Sequence, residues 1–131
     1  MFSKGRLGVV VLAVVVAVTT ASCADWAVQG SRVNRVRKEL PRLFQLGTSI
    51  TEAKGVLDSQ YSEYSAYSAE DCQRYSHSVP GYSAKGGPCI FGIVRVGSTW
   101  WGYQSAVEYI LIFEPNGRLG EVVQWPVYTF L

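Results

Sequence analysis

The apolar positions of this chain change their period along its length. Leu7 to Val18 (LGVVVLAVVVAV) is an unbroken apolar run without a charged residue. Val33, Val36, Leu40 and Leu43/Phe44 then recur at helical spacing, with Ser31 placed to cap the segment and Arg32, Arg35, Lys38 and Arg42 mostly on other faces. Pro41 should kink or end this first helix, and Leu46-Gly47 should close it. Ser49-Ile50-Thr51-Glu52 has the form of a capping box, after which Ile50, Ala53 and Leu57 give the apolar face of a short second helix. Gly55 weakens that helix by roughly 1 kcal/mol of propensity.

The last third switches to a period of two. Cys89 to Val96 (CIFGIVRV) is apolar and β-branched. Val107, Tyr109, Leu111 and Phe113 alternate with Glu108, Ile110 and Ile112, and Leu119, Glu121, Val123 and Trp125 alternate with Gly120, Val122 and Gln124. Glu114-Pro115-Asn116-Gly117-Arg118 joins the last two runs, its Asn-Gly pair supplying the positive φ angles of a tight hairpin. Helices followed by antiparallel strands predict an α+β fold: two short N-terminal helices packed on one face of a small, three- to four-stranded antiparallel sheet, a two-layer sandwich.

Between the two patterns, Asp58 to Pro88 is rich in Tyr, Ser and Gly. Five Tyr-Ser dipeptides begin at Tyr61, Tyr64, Tyr67, Tyr75 and Tyr82. The first three are spaced by three, which suits neither a strand nor a long amphipathic helix. Cys72 to Val79 could alternate as a strand, while Pro80-Gly81 and Gly86-Gly87-Pro88 punctuate a long loop.

At 131 residues the chain has room for one small domain. Lys4 and Arg6 precede the apolar run; without the first 22 residues, ten basic side chains face ten acidic ones. A neutral remainder argues against a nucleic-acid partner. The basic start and an apolar run shorter than a bilayer span read as a secretory signal. Thr20-Ala21-Ser22-Cys23 at its end resembles a bacterial lipobox, with Thr20 where Leu is usual. The expected organisation is a lipoprotein signal peptide (1-22), a lipid-anchored tether (23-30) beginning at an acylated Cys23, and one α+β domain (31-131). An ordinary cleaved signal that leaves Cys23 as a spare thiol is the alternative. Ala24, rather than Asp, after the cysteine favours the outer membrane, facing the periplasm.

Export implies an oxidising compartment, in which Cys72 and Cys89 are the partners left for a disulfide once Cys23 is lipidated. Closing that loop should contribute about 3 kcal/mol. A metal or redox site is the weaker reading, because there is no C-x-x-C and His77 is the single histidine. Catalysis finds little material: no G-x-S-x-G, no phosphate loop, and a His77 that reads as exposed. Glu70-Asp71, if in a strand, would point to opposite faces; Glu108 and Glu114 read as solvated positions. A non-catalytic protein is expected, without cofactor or small-molecule substrate. Tyr gives large amphipathic contact area and Ser and Gly give adaptable hydrogen bonding, so Tyr61, Tyr64, Tyr67, Tyr75 and Tyr82 are candidate protein-binding residues; the competing reading half-buries them against the sheet. Of the neighbours Trp100 and Trp101, one should enter the core and the other face outward.

The order of these elements resembles the SmpA/OmlA (BamE-like) outer-membrane lipoproteins. The likeness rests on the lipobox, Gly47-Thr48-Ser49 to Leu57, Trp101-Gly102-Tyr103, and Phe113-Glu114-Pro115-Asn116-Gly117-Arg118-Leu119, roughly residues 44 to 60 and 100 to 125. It implies two helices on a three-stranded antiparallel sheet. Leu57-Asp58-Ser59-Gln60 departs from the family's Leu-Gly-x-Pro, and the stretch from Asp58 to Thr99 is longer than the usual link. The expected function is a lipid-anchored scaffold or accessory subunit that binds another envelope protein, held to the membrane through Cys23. The alternative is a periplasmic inhibitor or immunity-type protein that blocks a cell-wall hydrolase or toxin.

Overall fold

The stripe that begins at Val33 belongs to a helix far longer than its spacing announced. The computed structural model describes residues 4–79 and 81–130. Met1–Ser3 of the expected signal, Pro80 of the expected loop and Leu131 lie outside the described residues. Helix α1 runs without interruption over Lys4–Leu43. Ser31 is therefore an interior position, not a cap, and residues 23–30 are helical where a tether was expected. The buried stripe of Val33, Leu40 and Phe44 continues backwards by helical steps through the buried Gln29 to Trp26. No proline precedes Pro41, which lies in the last turn, two residues before the helix stops.

Helix α2 (Ile50–Gln60) starts where the capping pattern placed it: the Ser49 side chain accepts a hydrogen bond from the Glu52 amide at 3.2 Å. The linker between the helices is sewn to the sheet. The Gly47 amide donates to the Leu119 carbonyl, and the Leu119 amide to the Thr48 carbonyl, both at 2.8 Å.

Four strands, β1 (Tyr64–Tyr67), β2 (Cys89–Ser98), β3 (Tyr103–Phe113) and β4 (Leu119–Phe130), form one antiparallel sheet in the order β1-β2-β3-β4. This is the expected α+β sandwich of helices on a small antiparallel sheet, with β1 as its fourth strand. The β3–β4 connection is looser than a two-residue turn. Among the described residues only glycines have positive φ, so Gly117 (φ 80) bends the chain, while the Asn116 side chain accepts from the Arg118 amide at 3.0 Å. A register shift between Ile112 and Phe113 absorbs the extra residue as a bulge.

The segment 72–79, expected as a strand, is instead mostly helix α3 (Ala69–Tyr75) and a turn. The Ser68 side chain accepts from the Asp71 amide at 3.3 Å, and Glu70 and Asp71 place negative charge at the positive end of the helix dipole. Those local preferences outweigh the alternation that suggested a strand. They also place Glu70 and Asp71 in a helix turn, not on opposite faces of a strand.

Two apolar clusters sandwich β3. On the helix side, Val33, Leu40, Phe44, Ala53 and Leu57 meet Ile90, Val107, Tyr109, Leu111 and Phe113. Each Val, Leu, Ile or Phe side chain buried in this way contributes about 2 kcal/mol relative to exposure. On the other side, Ile110 and Ile112 join Cys72, Tyr82 and Cys89. Helix α3 and the segment leading to β2 thus cover the second face, but only at the end where β2 begins and β3 ends. The Cys72–Cys89 disulfide (Cα–Cα 5.9 Å) fastens that cover to the first residue of β2.

Candidate functional site

Among the described residues, none covers the remainder of the second face. Cross-strand pairing sets Ile93 beside Glu108, Glu108 beside Trp125, and Ala106 beside Val127. These side chains share one face by the period of two and form the floor of two adjoining depressions of about 500 and 410 Å³. Ile93 and Glu108 line both, so the depressions make one trough along the sheet. Glu108, expected as a solvated position, is half-buried and accepts a hydrogen bond from Trp125 Nε1 at 2.9 Å. The indole thereby satisfies the carboxylate that it half covers. Glu114 is exposed, as expected.

One side of the trough is bounded by an ion pair. Arg95 donates to both carboxylate oxygens of Glu63, through Nε to Oε2 and through Nη2 to Oε1, each at 2.9 Å. The guanidinium holds the Glu63 carboxyl below the usual carboxylate range. Both groups are exposed, so the pair fixes the edge of β1 more than it stabilises the fold.

The five candidate tyrosines do not share one surface. Tyr64 and Tyr67 are three residues apart in a strand, an odd number, and therefore face opposite sides of the sheet. Tyr61 and Tyr64 pack against the helix-side core. Tyr64 donates to Asp58 Oδ1 at 2.6 Å, and this bond raises the phenol pKa. Burial, followed by the Glu39 carboxylate, raises that of Tyr61. Tyr67, Tyr75 and Tyr82 ring Phe91 on the second face, at centroid distances of 5.4, 6.1 and 6.0 Å. Tyr82 is buried and donates to the Cys72 carbonyl at 2.9 Å, which makes it a core residue and not the binding residue expected of it. Tyr75 is exposed and Tyr67 is half-buried, and with Phe91 the two line a small depression of their own.

Cys23 is exposed on α1 and unpaired. His77 is exposed in the turn after α3. Among the described residues, no group of three or more His, Cys, Asp or Glu side chains is arranged to hold a metal ion.

An aromatic cluster at the far end of the sheet escaped the sequence reading. Tyr103, nearly fully buried, is its hub: Trp26 stacks on it at 4.8 Å, Trp101 at 5.3 Å and Tyr128 at 5.7 Å, with Phe130 at 5.1 Å. Trp100 is exposed, as expected of one of the pair, whereas Trp101 is half-buried here and enters neither apolar cluster. Two signals were available in the sequence: the helical step from Trp26 to Gln29 to Val33, and the period of two that puts Tyr128 and Phe130 on one face of β4. No family model matches this chain, and no curated protein or solved structure shows significant similarity to it.

Proposed function

We propose that this chain is a non-catalytic, lipid-anchored protein of the bacterial envelope that docks another envelope protein on the open half of its second sheet face. The trough carries this reading. It gathers apolar Ile93, Ala106, Trp125 and Val127 around the half-buried Glu108, whose carboxylate Trp125 holds, with Glu63 and Arg95 along one side: apolar contact area with a few fixed polar groups, as interfaces have. Trp125 would be its aromatic anchor.

Anchoring through Cys23 is supported by the exposed thiol after small residues and by the apolar stretch before it, none of which is buried in the fold. Thr19 and Thr20 each turn their hydroxyl back to a carbonyl one helical turn earlier at 2.8 Å, which leaves that stretch with little polar character. The disulfide suits an oxidising compartment, and Ala24 after the cysteine suits the outer membrane. The order of motifs that resembles the SmpA/OmlA lipoproteins agrees with this reading.

The test is a photoreactive amino acid at Val127 in living cells, with Ser59, exposed on α2, as the control position. Position 127 should give one membrane-associated adduct and position 59 none. Absence of an adduct from positions 93, 125 and 127 alike would refute docking at this face. An adduct with a soluble hydrolase whose turnover then falls would replace the scaffold with an inhibitor.

A further inference from the structure

Residue 23 lies three positions before Trp26 on one continuous helix, a rise of about 4.5 Å. Trp26 is stacked on Tyr103, and one turn later the Ser105 hydroxyl donates to the side-chain amide oxygen of Gln29 (Oε1) in a buried contact. An acyl anchor at Cys23 therefore leaves no slack. The end of the body that carries β3's start and β4's finish has to lie within about one helical turn of the leaflet.

That end is unusually rich in exposed aromatic surface. Phe130 is 71% exposed, Trp100 68%, Trp26 54% and Tyr128 46%. Elsewhere in the folded body large aromatics are covered or half covered, Tyr75 apart. A group of exposed aromatics on a small domain marks a surface that something else covers. Trp and Tyr have amphipathic rings suited to the depth of lipid headgroups, and Phe suits the acyl boundary just below.

We infer that Trp26, Trp100, Tyr128 and Phe130 form a seat that rests in the headgroup region of the same membrane that holds Cys23. The inference rests on the anchored reading above and adds to it an orientation: the sheet stands end-on to the bilayer, strand termini down. The occupant is a bilayer surface because the helix that supplies Trp26 is also the one that carries the anchor. A soluble partner would have to enter the gap that a single helical turn leaves.

The experiment uses the full chain, expressed and lipidated in a bacterial host, then reconstituted in phosphatidylethanolamine–phosphatidylglycerol vesicles brominated high on the acyl chains. The four tryptophans allow an internal control, because Trp125 lies on the second face and apart from the cluster. Trp125→Phe leaves Trp26, Trp100 and Trp101 as reporters and should lose about half of its emission to the bromines. A triple variant (W26F, W100F, W101F) retains only Trp125 and should lose little. Trp100→Phe in the W125F background removes one exposed ring without touching the core, and should reduce the quenching in part.

Vesicle flotation separates the two claims. A W125F protein that floats with the vesicles yet stays unquenched overturns the seat and leaves the anchor standing. Equal quenching of Trp125 and the cluster, or a dimer that shields the cluster, overturns the seat as well. A protein that does not float at all overturns the anchor, and the seat with it.

Discussion

Gly92 shows how one side chain, by its absence, sets a core. It stands opposite Tyr109 in the β2–β3 ladder, and a Cβ at this position would fall within the Tyr109 ring. Tyr109 is fully buried, and burial raises its phenol pKa, with Tyr61 and Tyr64 adding to the rise. Gly92→Ala should therefore destabilise the fold by about 2 kcal/mol, measured as a lower urea midpoint at unchanged slope. Tyr109→Leu in the same background should cost less than the two separate losses together; strict additivity would show that the ring contact is not the cause. Glu63 gives a second, milder test. Arg95 holds its carboxyl below the ordinary range, so the pair contributes above the ordinary glutamate pKa and is lost as pH falls through the lowered value. Amide exchange in β1 should then be faster in Glu63→Gln than in the wild type at neutral pH. The two should converge only at a pH below the ordinary glutamate range, where the wild-type carboxyl also takes up its proton.

At the scale of elements, the cover over the second face is the part most dependent on a single bond. Helix α3 has only seven residues, too few to persist alone, and it is held by its Ser68 cap, by Tyr82 and by the disulfide. Replacing both Cys72 and Cys89 by Ala should cost about 3 kcal/mol. Limited proteolysis should then cut first between residues 76 and 88 while the strand signal in circular dichroism persists; cleavage beginning in β3 would mean that the bond supports the whole sheet. These elements differ in how far they could be read from sequence. The strands β2, β3 and β4, the start of α2 and the cysteine pair were legible, because a period of two, a cap and a count of thiols are local signals. Helix α3 was not, since seven residues fit either period and only the cap at Ser68 separates them. The trough was not legible either. Glu108 reads as solvated until Trp125 is known to lie beside it, and the sides taken by Tyr64 and Tyr67 depend on β1 pairing with β2.

For the molecule as a whole, the long α1 determines where the open face is presented. Val127 and Trp125 lie three and five residues from Phe130 along β4, about 10 and 17 Å from the aromatic end. The covered half of the second face, with α3 and the disulfide, is at the opposite end. With the aromatic seat on the bilayer, the trough would open sideways just above the leaflet, within reach of the exposed parts of a membrane-embedded partner. With Cys23 anchored, height and direction would both be fixed, because α1 is continuous from Cys23 to the stripe that packs on the sheet. A flexible Gly-Ser insert of about eight residues between Ala24 and Asp25 breaks that coupling, since a coil of this length spans roughly 15 Å and lets the body turn. Acylation and membrane retention should be unchanged, because the sequence up to Ala24 is intact. The adduct from position 127 should nevertheless fall several-fold, as the trough loses its fixed height. An undiminished adduct would mean that the partner finds the trough wherever the body drifts, and that the rigid helix serves folding alone. A lost adduct together with a lower melting temperature would instead point to Trp26 and Gln29 as structural contacts, which Trp26→Ala without the insert would reproduce.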